Sequence, residues 1–295
     1  MTRTRGLLIA AAAIPILLGA CARPGTSAGA GDSGPVVESA SVPASDDSTA
    51  VIRVEYRGGF VPPEFLLGRL PMISVYADGR VITDGPVPLI APGPALPNLQ
   101  VQQIDQAVLK ELTAEALAAG VKNGTDFGSP GVADIPSTRV TVVTAEGTQV
   151  AEAVALREAQ ADDPALSAEQ KAARKKLVNF VDRLTALSTA EGMPAPAAYQ
   201  PAQLAALASP WTDPGDNLSG KPTAWPGPEL PGSYLDKALE IRCVAVTGKE
   251  KDAVLAAAEK ANQQTPWVSA GKQWRVMFRP LLPDESGCAA LRSAG

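Results

Sequence analysis

Alternating apolar side chains, helically spaced apolar side chains and one pair of distant cysteines together predict an α+β fold. The expected arrangement is a small antiparallel sheet with two helices on one face, followed by a smaller disulfide-stapled α/β unit. The expected division is a signal peptide over 1–20, a disordered tether over 21–49, an α+β domain over 50–191, a Pro-rich connection over 192–232 and a strand-helix-strand unit over 233–295.

The chain begins with Arg3 and Arg5, an uncharged apolar run from Leu7 to Leu18, and the small residues Gly19 and Ala20 before Cys21. Spanning a bilayer takes roughly 20 apolar residues, so this shorter run reads as an export signal. Leu18-Gly19-Ala20-Cys21 resembles the bacterial lipobox, which implies cleavage before Cys21 and lipid on its sulfur. Several acyl chains anchor firmly, because each buried methylene contributes about 0.8 kcal/mol. Residues 22–49 are rich in Gly, Ser, Ala, Pro and Thr and cannot bury enough surface to offset ordering. A coil of this length has a root-mean-square reach of about 30 Å.

Structure is expected to begin at Val51–Arg57, where Ile52, Val54 and Tyr56 share one strand face and Arg53, Glu55 and Arg57 the other. Met72–Tyr76 and Val81–Thr83 flank Ala77-Asp78-Gly79-Arg80, and an Asp-Gly step between extended runs signals a hairpin. A proline-rich passage, Pro86 to Pro97, crosses the surface before a short edge strand near Leu99 and Val101. Ile104, Val108, Leu109, Leu112 and Leu117 fall at helical spacing, with Asp105 as the expected N-cap and Gly120 as the expected stop. Thr138–Thr144 and Thr148–Leu156 flank Glu146-Gly147 as a second hairpin, and Ser167 with Gln170 matches a capping box ahead of a second helix. That helix turns Leu177, Phe180, Val181, Leu184 and Leu187 inward.

Residues 51–187 resemble emfourin-type protease inhibitors in the order Arg57-Gly58-Gly59-Phe60 after strand one, a helix, an Asp-Pro loop, a Thr-Val strand and a final helix, with Pro86–Pro97 as an insertion. The resemblance implies a small α+β module that blocks a metallopeptidase. The whole chain resembles lipoproteins of actinobacteria, which implies the outer face of the plasma membrane.

Residues 192–232 are broken by prolines and read as a connection with little regular structure. Beyond them, Leu239 to Ala245 reads as a strand, Glu250–Gln263 as an Ala-rich helix, and Gln273–Phe278 as a strand. At about 60 residues this last unit is small for an independent core. In an oxidising compartment Cys243 and Cys288 are expected to bond, since Cys21 is taken by lipid.

Composition excludes several activities. Removing Arg3 and Arg5 with the signal takes Lys plus Arg from 26 to 24 against 31 acids, so the net charge moves from −5 to −7. An acidic chain without a basic run does not neutralise phosphates, which excludes nucleic acid as a partner. Histidine is absent, so mechanisms built on a Ser-His or Cys-His pair lack their base. The common imidazole zinc sites go with it, and no metal or cofactor is expected.

Carboxylates remain as candidate catalysts: Asp46-Asp47, Asp162-Asp163, Asp284-Glu285, and Asp126 with Asp134 from separate loops. Loop acids are far more often solvated than catalytic. Trp211, Trp225, Trp267 and Trp274 all fall in the last third and could stack on a ligand or fill a core. The run Arg279–Glu285, with prolines inside and charges at both ends, reads as a segment wrapping a domain end or as a recognition loop. The expected protein is a non-catalytic, lipid-anchored binding protein on the extracytoplasmic face of the cell membrane. Its membrane contact is the lipid on Cys21, and its partner is an envelope or secreted protein such as a peptidase. The alternatives are a carboxylate-dependent hydrolase of cell-wall carbohydrate and a structural envelope protein.

Overall fold

The computed structural model describes residues 46–190 and 192–292. The signal segment, Cys21 and the tether up to residue 45 lie outside them. Among the described residues, no helix is long and apolar enough to cross a membrane.

The first half of the chain builds a seven-stranded sheet. Its elements are β1 (Ala50–Arg57), α1 (Pro63–Gly68), β2 (Ile73–Tyr76), β3 (Arg80–Asp84), β4 (Leu99–Gln103), α2 (Gln106–Ala118), β5 (Ser137–Thr144), β6 (Gly147–Val154), α3 (Ala168–Thr185) and the short β7 (Ala197–Ala198). The order across the sheet is β6-β5-β1-β2-β3-β4-β7, antiparallel throughout. The β2–β3 hairpin turns at Gly79, which has φ 87°, and a Cβ there would lie 2.3 Å from the Ile104 carbonyl oxygen. Only glycine fits both requirements.

Helices α2 and α3 start where their caps dictate. The Asp105 carboxylate accepts from Val108 N, and Ser167 and Gln170 complete a reciprocal capping box. Leu109, Leu112, Leu177, Phe180, Val181 and Leu184 pack with Val54, Val75, Val140 and Val142 into one core. Edge strand β6 is partly closed by side chains. Asn123 accepts from Val150 N at 3.0 Å and donates to Thr148 O at 3.1 Å, while buried Arg174 donates to the carbonyls of Phe127, Val154 and Ala155.

The second half contains β8 (Gln203–Pro210), β9 (Thr223–Ala224), β10 (Ser233–Asp236), β11 (Ile241–Thr247), α4 (Gly248–Ala258), β12 (Trp267–Ser269) and β13 (Lys272–Pro280). These strands form a six-stranded sheet ordered β10-β11-β8-β13-β12-β9, antiparallel except for the β9–β12 pair. The expected α+β fold, with its small sheet and its α/β appendage, is therefore corrected. The protein is mostly β, two sheets of seven and six strands with four α-helices among the described residues.

The difference has a physical origin in β8. Leu204-Ala205-Ala206-Leu207-Ala208 lies at the sheet centre, buried on both faces. It therefore shows no polar alternation, and alanine is depleted in strands. The stretch expected to be an unstructured connection thus supplies the strand on which β11 and β13 both pair.

One face of this sheet packs Ala206, Val244, Val246, Val276 and Phe278 beneath Val254 and Ala258 of α4. The other packs Ala205, Leu207, Ile241 and Cys243 against Leu281 and Leu291. Cys243 and Cys288 are bonded, with Cα atoms 6.0 Å apart, tying β11 to the last turn, Cys288–Arg292.

The run after β13 joins the two sheets. Leu281 belongs to the second-sheet core, whereas Leu282 inserts against Tyr76, Ile82 and Leu99 on the first sheet, on the face away from α2 and α3. Asp284 accepts from both Arg53 at 2.8 and 2.9 Å and Tyr76 Oη at 2.9 Å. Arg279, 1 % exposed, donates to Glu285 at 2.7 Å. Of the two readings for Arg279–Glu285, the wrapping segment is the one built.

Candidate functional site

The α4 face of the second sheet is incompletely covered, and at its uncovered end lies a groove of about 280 Å³. Sheet register explains its composition. Tyr234 on β10 is opposite Arg242 on β11, Arg242 is opposite Ala208 on β8, and Pro210 is opposite Trp274 on β13. Opposed residues share a face, so Tyr234, Arg242, Pro210 and Trp274 form a floor crossing four strands. Ser269 and Lys272, also opposed, extend it through the β12–β13 hairpin.

The side chains here are positioned by specific contacts. The Arg242 guanidinium lies 3.9 Å from the Tyr234 ring centroid and donates to its hydroxyl. Stacking of this kind holds the planar group in one orientation. Trp274 rests on an aromatic cluster in which Trp267 meets Trp225 at 5.6 Å and Phe278 at 5.5 Å, both edge-on. The Trp274 indole Nε1 is buried without a hydrogen-bond partner among the described residues. The rim residue Leu230 donates its N–H to Ser269 Oγ at 3.0 Å, which fixes Glu229 beside the β12–β13 hairpin. At the opposite rim, Glu240 has φ 54°, a left-handed conformation uncommon outside glycine.

Glu229, Glu240, Arg242 and Lys272 all line the groove. Among the described residues none of the four forms an ion pair. A second recess, about 230 Å³, lies on the opposite face between α1 and the sheet, where Glu64 pairs with Arg275 at 3.2 Å.

Of the four tryptophans singled out by sequence, only Trp274 lines the groove. Trp267 and Trp225 are core, 1 % and 8 % exposed. Trp225 donates to Pro228 O at 2.6 Å, and half-buried Trp211 donates to Gln264 O at 3.2 Å.

Several of the carboxylates named from sequence are occupied structurally. Asp163 accepts from Ala165 N and Gly131 N, and Asp126 from Gly128 N and Gln170 Nε2. Asp46 accepts from Ser48 N, and Asp284 and Glu285 hold arginines. Asp162 and Asp134 are exposed.

Around Asp284, burial opposes the Arg53 charge, but the hydrogen bond and charge of Asp284 outweigh it and raise the guanidinium pKa. Burial, aided by the Asp284 charge, pushes the Tyr76 hydroxyl well above the usual tyrosine range. Burial also pushes Tyr199, which donates to Leu281 O at 2.9 Å, up to about 12. This polar cluster is a fastening between the sheets rather than an open site. Among the described residues there is no group of three His, Cys, Asp or Glu able to hold a metal.

The sequence reading missed Arg242, Glu229, Glu240 and Lys272. One signal was available: Arg242 interrupts a strand whose two faces are otherwise apolar, sharing its side with Val244 and Val246.

A second exposed feature is the Gly85–Asn98 loop. Its base is closed by Gly85 N to Asn98 O at 2.6 Å, and its return is pinned by Gln263 N to Gly93 O at 2.9 Å. Between these points Val87, Leu89 and Ile90 stand exposed. No protein-family model, curated protein or solved structure matches this chain.

Proposed function

We propose that this chain is a lipid-anchored extracytoplasmic binding protein of the cell envelope, and that the groove across β10, β11, β8 and β13 takes its ligand. The observation supporting the groove is Arg242, stacked on Tyr234 beside Trp274 and, among the described residues, in no ion pair. An aromatic floor with a few oriented polar groups is the usual composition of ligand sites. The anchor rests on the Leu18–Cys21 lipobox likeness, and a peptidase partner rests on the Arg57–Phe60 likeness alone. The exposed, proline-bracketed loop at Val87–Ile90 suits contact with an apolar cleft on another protein.

The test for the groove uses the full chain and soluble fragments released from cell-wall peptidoglycan by muramidase. Fragments that bind should change the tryptophan fluorescence of the native protein and leave Trp274→Phe and Arg242→Met unresponsive. Equal responses in all three proteins would remove the groove from consideration. For the anchor, Cys21→Ser should abolish incorporation of labelled fatty acid, and incorporation that persists would refute lipidation at that residue.

A second reading is favoured by one observation: Glu229 and Glu240 share the groove with Trp274. Two carboxylates flanking a sugar bond can supply acid and base. A carboxylate-dependent hydrolase of cell-wall carbohydrate predicts new reducing ends when the full chain is incubated with peptidoglycan, lost in Glu229→Gln and Glu240→Gln. Turbidity and reducing ends that stay constant with the native protein would refute it.

A further inference from the structure

We infer that the Gly85–Asn98 loop dips its tip into the lipid surface to which the chain is tethered, with Val87, Leu89 and Ile90 entering the headgroup boundary. The inference rests on the lipid anchor at Cys21 proposed above and adds a second contact with the same membrane.

The loop presents these side chains on a braced backbone. Leu89 is fully exposed, and Val87 and Ile90 are 64 % and 63 % exposed. At the base Gly85 N donates to Asn98 O at 2.6 Å and Asn98 Nδ2 to Pro86 O at 2.7 Å. On the return Gln263 N donates to Gly93 O at 2.9 Å and Ala95 N to Ala261 O at 3.1 Å. Inserting a tip held in this way orders little that is not already ordered.

Two features suit lipid better than a protein cleft. No Asp, Glu, Lys or Arg lies between Asp84 and Asp105, so insertion strips water from no charge within the loop. Of the seven residues from Pro86 to Pro92, three are prolines without an N–H, and Ile90 N already donates to Pro88 O at 2.9 Å. Backbone donors are what an apolar medium penalises and what an extended peptide uses to pair along a cleft. A tip poor in them enters the first readily and grips the second badly.

The tether makes the contact reachable. Arg80 donates to Asp47 O at 3.2 Å, so the tether joins the first sheet beside the start of β3. From Arg80 to Leu89 the chain runs nine residues and spans at most about 32 Å. Read as a coil, residues 22–49 reach about 30 Å, so the tip meets the lipid without stretching the tether. A few apolar side chains hold a free protein on a bilayer only weakly, but an anchored chain keeps them at high effective concentration. β1 and β3 both pair antiparallel with β2, so Arg57 and Asp84 end at one margin of the first sheet. Exposed Phe60, just past Arg57, supplies a further apolar side chain at that margin.

The experiment reconstitutes the full acylated chain in phosphatidylcholine vesicles with an environment-sensitive fluorophore on Leu89→Cys, or on Glu146→Cys in the β5–β6 turn at the opposite margin. With Cys21 acylated and Cys243 bonded to Cys288, the introduced thiol takes the label. On vesicles the Leu89→Cys label should shift to the blue and be quenched by spin-labelled lipid, while the Glu146→Cys label should stay open to iodide. Adding Val87→Ser or Ile90→Ser should each lower the ratio of inserted to free label about tenfold, the loss for withdrawing one apolar side chain from an apolar medium. Circular dichroism should be unchanged throughout. A chain that floats with the vesicles while both labels stay equally open to iodide would overturn the inference and leave the anchor standing. Shielding of the Leu89→Cys label on native envelope but not on protein-free vesicles would overturn it in favour of a protein cleft. A chain that carries no lipid on Cys21 and fails to float would overturn the anchor and the inference together.

Discussion

Leu282→Ala should destabilise the protein by about 3 kcal/mol, because that side chain is the apolar part of the fastening between the two sheets. Leu282 is 3 % exposed and packs on Tyr76, Ile82 and Leu99. Buried Leu→Ala changes cost about 2.7–5 kcal/mol, the spread reflecting how far the surroundings collapse into the cavity. Here one wall is a hydrogen-bonded sheet and cannot move. The other is the Leu281–Glu285 run, pinned at Asp284 by Arg53 and at Glu285 by Arg279. That run is not a strand and can settle slightly inward, which places the cost near the lower end. Urea unfolding followed by circular dichroism reads the effect as a midpoint lowered by about 1 M for a slope near the upper end of the usual range. Leu282→Met, nearly volume-conserving, should cost less than about 1.5 kcal/mol. A Leu282→Ala loss below about 1 kcal/mol, or equal losses for both variants, would refute the claim that this residue fills a defined socket between the sheets.

The remaining expectations concern other fastenings. Replacing Cys243 and Cys288 together by serine opens a loop with a sequence separation of 45, which the chain-entropy model values at about 4 kcal/mol. Denaturation of oxidised wild type against the double variant measures it, and a difference under about 1 kcal/mol would contradict the model here. Trp267→Ala, at the centre of the aromatic cluster, should cost about 3–5 kcal/mol by calorimetry. A cost near zero would mean the cluster does not support the groove floor. The raised Tyr199 pKa makes the neutral hydroxyl the form favoured by folding. The stability it contributes is complete below the unfolded tyrosine pKa near 10 and is lost as pH rises towards about 12. Tyr199→Phe should therefore flatten the alkaline limb of the stability curve, and an unchanged limb would refute the assignment. Asp126 is held below the usual carboxylate range by Gln170 and by the Gly128 N–H. Its contribution is present above the ordinary aspartate pKa and lost as pH falls through the lowered one. Asp126→Asn should accordingly shift the acid limb, read by urea midpoints between neutral and acidic pH.

Features written into a few consecutive residues were legible in the sequence. The Asp78-Gly79 hairpin, the Asp105 cap, the Ser167–Gln170 box and the alternation in β1 all appear where local chemistry placed them. The Cys243–Cys288 bond was legible by elimination, since the third cysteine had another use expected of it. β8 was not, because a strand buried on both faces has no polar side to betray its period, and its alanines carry little strand preference. The fold class went wrong at that strand. Without it the last residues look like an isolated strand-helix-strand unit; with it they are the outer strands of a sheet. The groove was hidden for a related reason. Its residues come from Pro210, from 229–242 and from 269–274, and only the pairing of β11 and β13 with β8 places them on one face. Trp274 was picked out by its type, whereas Arg242 gains significance only as the neighbour of Tyr234.

The side chains that close the margin of β6 bear on self-association. An unpaired strand margin is a template for another chain. Here Asn123 offers its amide as though it were a short piece of neighbouring backbone, and Arg174 engages the far end. What remains is a stretch around Glu152, which pairs with Arg139 at 3.7 Å, and charged side chains on an edge disfavour pairing of like copies. Wherever many molecules of this protein crowd together, this margin resists zipping into fibres, and Asn123→Ala would be the change that invites it.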